Sequence, residues 1–156
     1  MAEENPEVEA VKKVIRRWAR AFSSLDAETI LGLWDSSYPK ILHQAEEFPD
    51  PIRGWDELSH YNRTMMQLAS NLRDQSLQDL EADVIGDMGW CYIRGTITFD
   101  IPGMDKPITG QARQTFILRK TGEGWKIIHY HESRETPGLR EPLLKAHPRP
   151  DEARKM

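Results

Sequence analysis

The feature that most constrains this chain is a change of hydrophobic period partway along it. In the first half, apolar residues recur every three or four positions, the spacing that gathers side chains on one face of an α-helix. Val8, Val11, Ile15, Trp18 and Phe22 form the first such stripe. Asn5 can accept from the orphan amides at its start, Pro6 suits the first helical position, and Glu7 and Glu9 complement the positive end of the dipole. Asp26 can cap a second, shorter helix through Ile30, Leu33 and Trp34, which Asp35-Ser36-Ser37 and Pro39 break. Ile41 to Ala45 predicts a short strand. A third helix begins near Trp55 or Asp56, with Leu58, Tyr61, Met65, Leu68 and Leu72 as its stripe.

From about residue 76 the period falls to two. Leu80, Ala82 and Val84 alternate with Asp79, Glu81 and Asp83, as in a half-buried strand. Gly86-Asp87 predicts a turn, Trp90 to Phe99 a strand, and Pro102 to Pro107 a loop. Ile108 to Lys120 and Trp125 to Ser133 are two further strands joined by the turn Thr121 to Gly124. Pro137, Gly138, Pro142, Pro148 and Pro150 then predict an extended or disordered tail. Helices first and consecutive antiparallel strands afterwards describe an α+β domain over residues 1–135, with its helices on one sheet face and a tail over 136–156.

Composition narrows the function. With 156 residues and 38% apolar content the chain can bury a core unaided, and a net charge of −4 without a basic block excludes duplex nucleic acid as its principal partner. Cys91 is the single cysteine, so an intrachain disulfide and a zinc-binding Cys-His pattern are both excluded. Glutamates occupy the first ten residues where an export signal would be basic and apolar, and no apolar run is long enough to span a membrane. A cytoplasmic protein, without a membrane partner, is expected.

The order of elements, Tyr92-Ile93-Arg94, the Gly124-Trp125 pair closing the last hairpin and His129-Tyr130-His131-Glu132-Ser133 in the final strand carry a resemblance. Together with Leu25 to Trp34 and Ile52 to Leu58, they make residues 8–135 similar to the SnoaL-like branch of the nuclear transport factor 2-like superfamily. The ending resembles in particular the association domain of calcium/calmodulin-dependent protein kinase II. This resemblance implies a cone, in which a strongly curved antiparallel sheet wraps around three N-terminal helices and opens at one end into a pocket. It further implies a homodimer through the outer sheet face and a site free of metal and cofactor. Members include polyketide cyclases, ketosteroid isomerases, dehydratases and catalytically silent binding modules, so the fold alone fixes no reaction.

The resemblance sets Arg94 inward, as part of an anion-binding pocket. Alternation then brings Trp90, Tyr92, Thr96 and Thr98 to the same face, with Tyr130, Glu132, Arg113 and Thr115 from the neighbouring strands. Such a set suits a small anionic or carbonyl-bearing molecule held against an aromatic wall. Glu132 is the candidate general acid or base, and His43 and Tyr38 are candidates to complete it. The alternative is that Arg94 and Glu132 form a structural ion pair and the protein is a non-catalytic binding or oligomerisation module. By the same parity Ile93, Ile97, Phe99, Phe116, Leu118 and Ile127 face outward as a dimer surface, and His129 and His131 lie opposite Glu132 with no third ligand for a metal.

Overall fold

A computed structural model describes residues 5–135 and 137–146. Helix α1 (Pro6–Ser23) begins where the Asn5 side chain accepts the Glu7 amide at 2.9 Å, and its stripe of Val8, Val11, Ile15, Trp18 and Ala21 is buried. Leu25 turns the chain in the left-handed region, and Asp26 then caps α2 (Ala27–Gly32) by accepting from the Thr29 amide and hydroxyl. Two short strands follow, β1 (Leu42–Gln44) and β2 (Ile52–Arg53), and then α3 (Gly54–Leu68).

Four long strands complete the sheet: β3 (Ser70–Ile85), β4 (Met88–Asp100), β5 (Ile108–Thr121) and β6 (Gly124–Arg134). Their order is β2-β1-β6-β5-β4-β3. All pairs are antiparallel except β1 with β6, which is parallel, a departure from the expected all-antiparallel sheet. The six-stranded curved sheet with its N-terminal helices is the α+β cone that the resemblance implied. Midway along β4, strand β3 approaches so closely that a Cβ on Gly95 would lie 2.9 Å from the Ser76 carbonyl oxygen, which only glycine tolerates.

Three expectations change. Leu72 belongs to β3, because Ala69 already has an extended backbone and ends α3. Residues 137–146 form a helix, α4 (Pro137–Ala146), where an extended or disordered tail was expected. Pro137 occupies its first turn, where no backbone donor is required. Most consequentially, β4 and β5 present the opposite faces to the helices. Cys91, Ile93, Phe116 and Leu118 are at most 2% exposed and pack with Val11, Ile15 and Trp18 of α1. The six apolar residues assigned to an outer dimer surface therefore point inward: Ile93, Phe99, Phe116, Leu118 and Ile127 are buried, and Ile97 lines a groove beside α1.

Ile127 is a separate case. The register passes from Ile117 opposite His129 to Leu118 opposite Ile127, so Ile128 is an extra residue in β6. This bulge puts Ile127 and Tyr130, three apart, on one face.

Candidate functional site

Inside the cone the centre is built from rings. Phe116 meets Trp18 edge-on at 4.9 Å and Tyr130 at 5.1 Å, and His43 stacks on Tyr130 at 4.3 Å with an interplanar angle of 17°. β1 holds His43 there through its parallel register with β6, in which His43 stands beside Tyr130. The His43 Nδ1 atom is buried with no hydrogen-bond partner among the described residues. Burial above all pulls its pKa down to about 4, so the ring is neutral at pH 7.

The polar end of this stack is Glu132. Tyr130 Oη donates to Glu132 Oε2 at 2.7 Å and accepts from Gln114 Nε2 at 3.2 Å, while the Glu46 amide donates to Glu132 Oε1 at 2.9 Å. Burial is the largest influence on Glu132 and raises its pKa. The bonds from Tyr130 and the Glu46 amide oppose it, and the carboxylates of Glu47 and Glu46 add to it. Tyr130, wholly enclosed beside that carboxylate, is held well above the usual phenol range. The segment after β1 closes over the pair: Glu46 is engaged by Arg134, and Glu47 accepts from Tyr61 at 2.6 Å.

A groove of about 570 Å³ opens beside this cluster, between the C-terminal half of α1 and strands β3 to β5. Trp18, Phe22, Ile93, Ile97 and Gln114 line it. Gln114 is therefore both a wall of the groove and the donor to Tyr130.

The structure thus brings together three of the residues expected at the site, Glu132, Tyr130 and His43, and separates the rest. Arg94 stands on the outer sheet face, paired with Asp79 at 2.6 Å where both side chains are 41% exposed, an ion pair worth about 0–1 kcal/mol. Arg94 and Glu132 consequently form no pair. Trp90 and Tyr92 share that outer face, as do Thr115, which is exposed, and Arg113, which donates to the Arg134 carbonyl at 2.6 Å. The reason is that alternation was counted from Arg94, whereas burial follows Cys91 and Ile93. Tyr38 lies under the Arg119 guanidinium at 4.9 Å, toward the hairpin end of the sheet and away from Glu132.

Sequence reasoning missed Gln114, Tyr61, Glu46 and Glu47. The signal for Gln114 was present: it is the one amide in the series Ala112, Gln114, Phe116 and Leu118. His129 and His131 lie on the outer face, and among the described residues no three of His, Cys, Asp and Glu converge on a metal position. Burial pushes the Cys91 thiol up to about 12, which leaves it a packing residue without thiolate chemistry.

Glu132 also carries a stability prediction. Its folded pKa is raised, so its favourable contribution is complete below the unfolded value and is lost as pH rises through the folded one. Glu132→Gln is therefore expected to raise the melting temperature at pH 8 and to give no gain at pH 4. Thermal melts across that range would show the reverse trend if the carboxylate stabilised the fold.

The family model of the SnoaL-like domain matches residues 11–137. No curated protein matches the chain. Among solved structures, a nuclear transport factor 2-like superfamily protein from Salmonella enterica shares 20% identity at a TM-score of 0.72, covering 85% of this chain and 94% of that one. A ketosteroid isomerase-like protein from Erwinia carotovora atroseptica shares 15% at 0.70, covering 86% and 100%. The hub of calcium/calmodulin-dependent protein kinase II from S. rosetta shares 21% at 0.64, covering 85% and 98%. No helix among the described residues is long and apolar enough to cross a membrane.

Proposed function

We propose, from the premise that this chain belongs to the SnoaL-like domain family, that it binds a small carbonyl-bearing molecule in the α1 groove and acts on it by acid/base catalysis. The observation that carries this reading is the buried chain of hydrogen bonds from Gln114 through Tyr130 to Glu132, ending at a carboxyl of raised pKa. A carbonyl oxygen that takes the place of Glu132 at the Tyr130 hydroxyl would face two donors, Tyr130 O–H and Gln114 N–H, suited to a developing enolate. The released Glu132 carboxylate would then remove the proton from the adjacent carbon and return it elsewhere, the step shared by isomerases, cyclases and dehydratases. A raised pKa makes it a stronger base than an exposed glutamate. His43, neutral and stacked on Tyr130, positions the phenol. Arg94 and Arg113 stand outside the cone, so the carbonyl is held by Tyr130 and Gln114 and not by these guanidiniums. A reducing cytoplasm is the compartment this reading assigns, and it requires no metal or cofactor.

The test is deuterium exchange at the α-carbon of acetophenone, followed by NMR. The protein should accelerate exchange, and Glu132→Gln should reduce that acceleration by about 100-fold or more. Equal exchange with the parent and the variant would remove Glu132 from the mechanism.

A second reading, an assembly module, is favoured by the outer face, where Trp90 is 38% exposed in register with Ile117 and His129. Neighbours named as hub and association domains support homo-oligomerisation, and a homodimer through this face is proposed. Sedimentation should give a dimer at micromolar concentration, and Trp90→Glu should give a monomer. A parent protein that sediments as a monomer would end this reading.

A further inference from the structure

A second cleft, of about 590 Å³, lies at the other end of the cone, between α2, α3 and the β5–β6 hairpin. It shares no lining residue with the α1 groove. Trp55, Ser36, Arg119 and Lys126 are among its walls.

Arg119 is held there before any ligand arrives. Its Nε donates at 2.6 Å to Asp35 Oδ2, and Asp35 is 6% exposed. Asp35 is itself fixed by accepting from the Ser37 amide at 3.1 Å and the Ser37 hydroxyl at 2.7 Å. The guanidinium carbon also lies over the Tyr38 ring, 4.9 Å from its centroid. With Nε occupied, the two terminal nitrogens have no hydrogen-bond partner among the described residues. Lys126 stands directly opposite Arg119 in the β5–β6 register, its Nζ resting on the Gly32 carbonyl at 2.7 Å.

The carboxylates around the cleft are themselves engaged, which leaves the terminal N–H groups of Arg119 open to a ligand. Asp35 is engaged by Arg119 and Ser37, and Glu28 is engaged by Arg63 at 2.8 Å. Glu123 approaches Lys126 only to 3.8 Å with its side chain 86% exposed, where water screens it.

We propose that this cleft is a second binding site, taking a small aromatic carboxylate whose charge is held by Arg119 and Lys126 and whose ring lies against Trp55. An oriented guanidinium fork matches a carboxylate bidentately, and little ordering remains to oppose binding. A half-buried indole beside it selects a flat apolar body over an aliphatic one. The volume lies in the range of small-molecule sites, about 300–1,000 Å³. The proposal is independent of the acid/base reading, since neither Glu132 nor Gln114 takes part.

The experiment titrates the full chain with benzoate, and with benzamide as its uncharged counterpart, following the indole N–H signal of Trp55 by NMR. Benzoate should bind at least tenfold tighter than benzamide and shift that signal. Arg119→Lys should weaken benzoate about tenfold, because a point charge replaces the fork. Lys126→Gln, which leaves the Asp35 pair intact, should weaken it several-fold, and Gln114→Ala should leave it unchanged. Equal binding of benzoate and benzamide, or benzoate affinity insensitive to Lys126→Gln, would overturn the proposal. So would benzoate shifts confined to Gln114 and Ile93, which would move the anion to the α1 groove.

Discussion

Phe116→Ala is expected to cost about 3–5 kcal/mol of stability, a fall of about 6–20 °C in melting temperature for a chain of this length. Phe116 is fully buried and makes edge contacts with both Trp18 and Tyr130. It links α1 to β5 and β6, so its removal leaves a cavity between elements that the sheet holds apart. Partial collapse would tilt Tyr130 away from Gln114, and ketone exchange should fall together with stability. Equilibrium urea denaturation measures the first effect. A loss below 1 kcal/mol would mean that the three rings are not packed as described.

Arg119→Met is expected to cost about 1–3 kcal/mol at pH 7, and more than Asp35→Asn. The asymmetry arises from burial. Removing Arg119 leaves the buried Asp35 carboxylate with only Ser37 as donor, whereas removing the Asp35 charge leaves a guanidinium that is 35% exposed and can reach water. The pH dependence has a definite sign. Burial pushes the Asp35 carboxyl up, but the bonds from Ser37 and Arg119 outweigh it and hold it below the ordinary aspartate value. The contribution is therefore complete above the unfolded value, about pH 4, and is lost as pH falls through the lowered folded one. The deficit of Arg119→Met relative to the parent should shrink as pH falls below about 4. A deficit that stays constant from pH 7 to pH 3 would assign the effect to lost packing of the arginine stem on Tyr38.

The helices and strands were legible because their signals are local. Asn5 and Pro6 start α1, Asp26 caps α2, and the alternation of Leu80, Ala82 and Val84 marks β3 whatever the rest of the chain does. Helix α4 was not legible, since five Pro and Gly positions over residues 137–150 argued against it and only its first proline occupies a position a helix favours. At the site, the resemblance placed Glu132 on the pocket face, and the regular pairing of β6 from His129 onward keeps Tyr130 on that face with it. His43 was found on its chemistry, and only its parallel register beside β6 stacked it on Tyr130.

What sequence alone determined is the order of the first three helices and the four long strands, and with it the α+β class, because periodicity records whether a segment buries a stripe or a face. What it left open is which face. Along β4, Trp90, Tyr92 and Arg94 alternate with Cys91, Ile93 and Gly95, and both series carry apolar residues, so a strand bearing either could sit against a core. The choice was made by α1, whose Val11, Ile15 and Trp18 leave room for the smaller Cys91 and Ile93 and leave Trp90 at the surface. Along β6, the extra residue Ile128 reversed the count between Ile127 and Tyr130, and a bulge is set by pairing with β5, not by the strand's own residues. The tertiary structure therefore decided which polar groups enter the cone: packing against a helix and pairing with a neighbour are interactions between distant segments, and no local period records them.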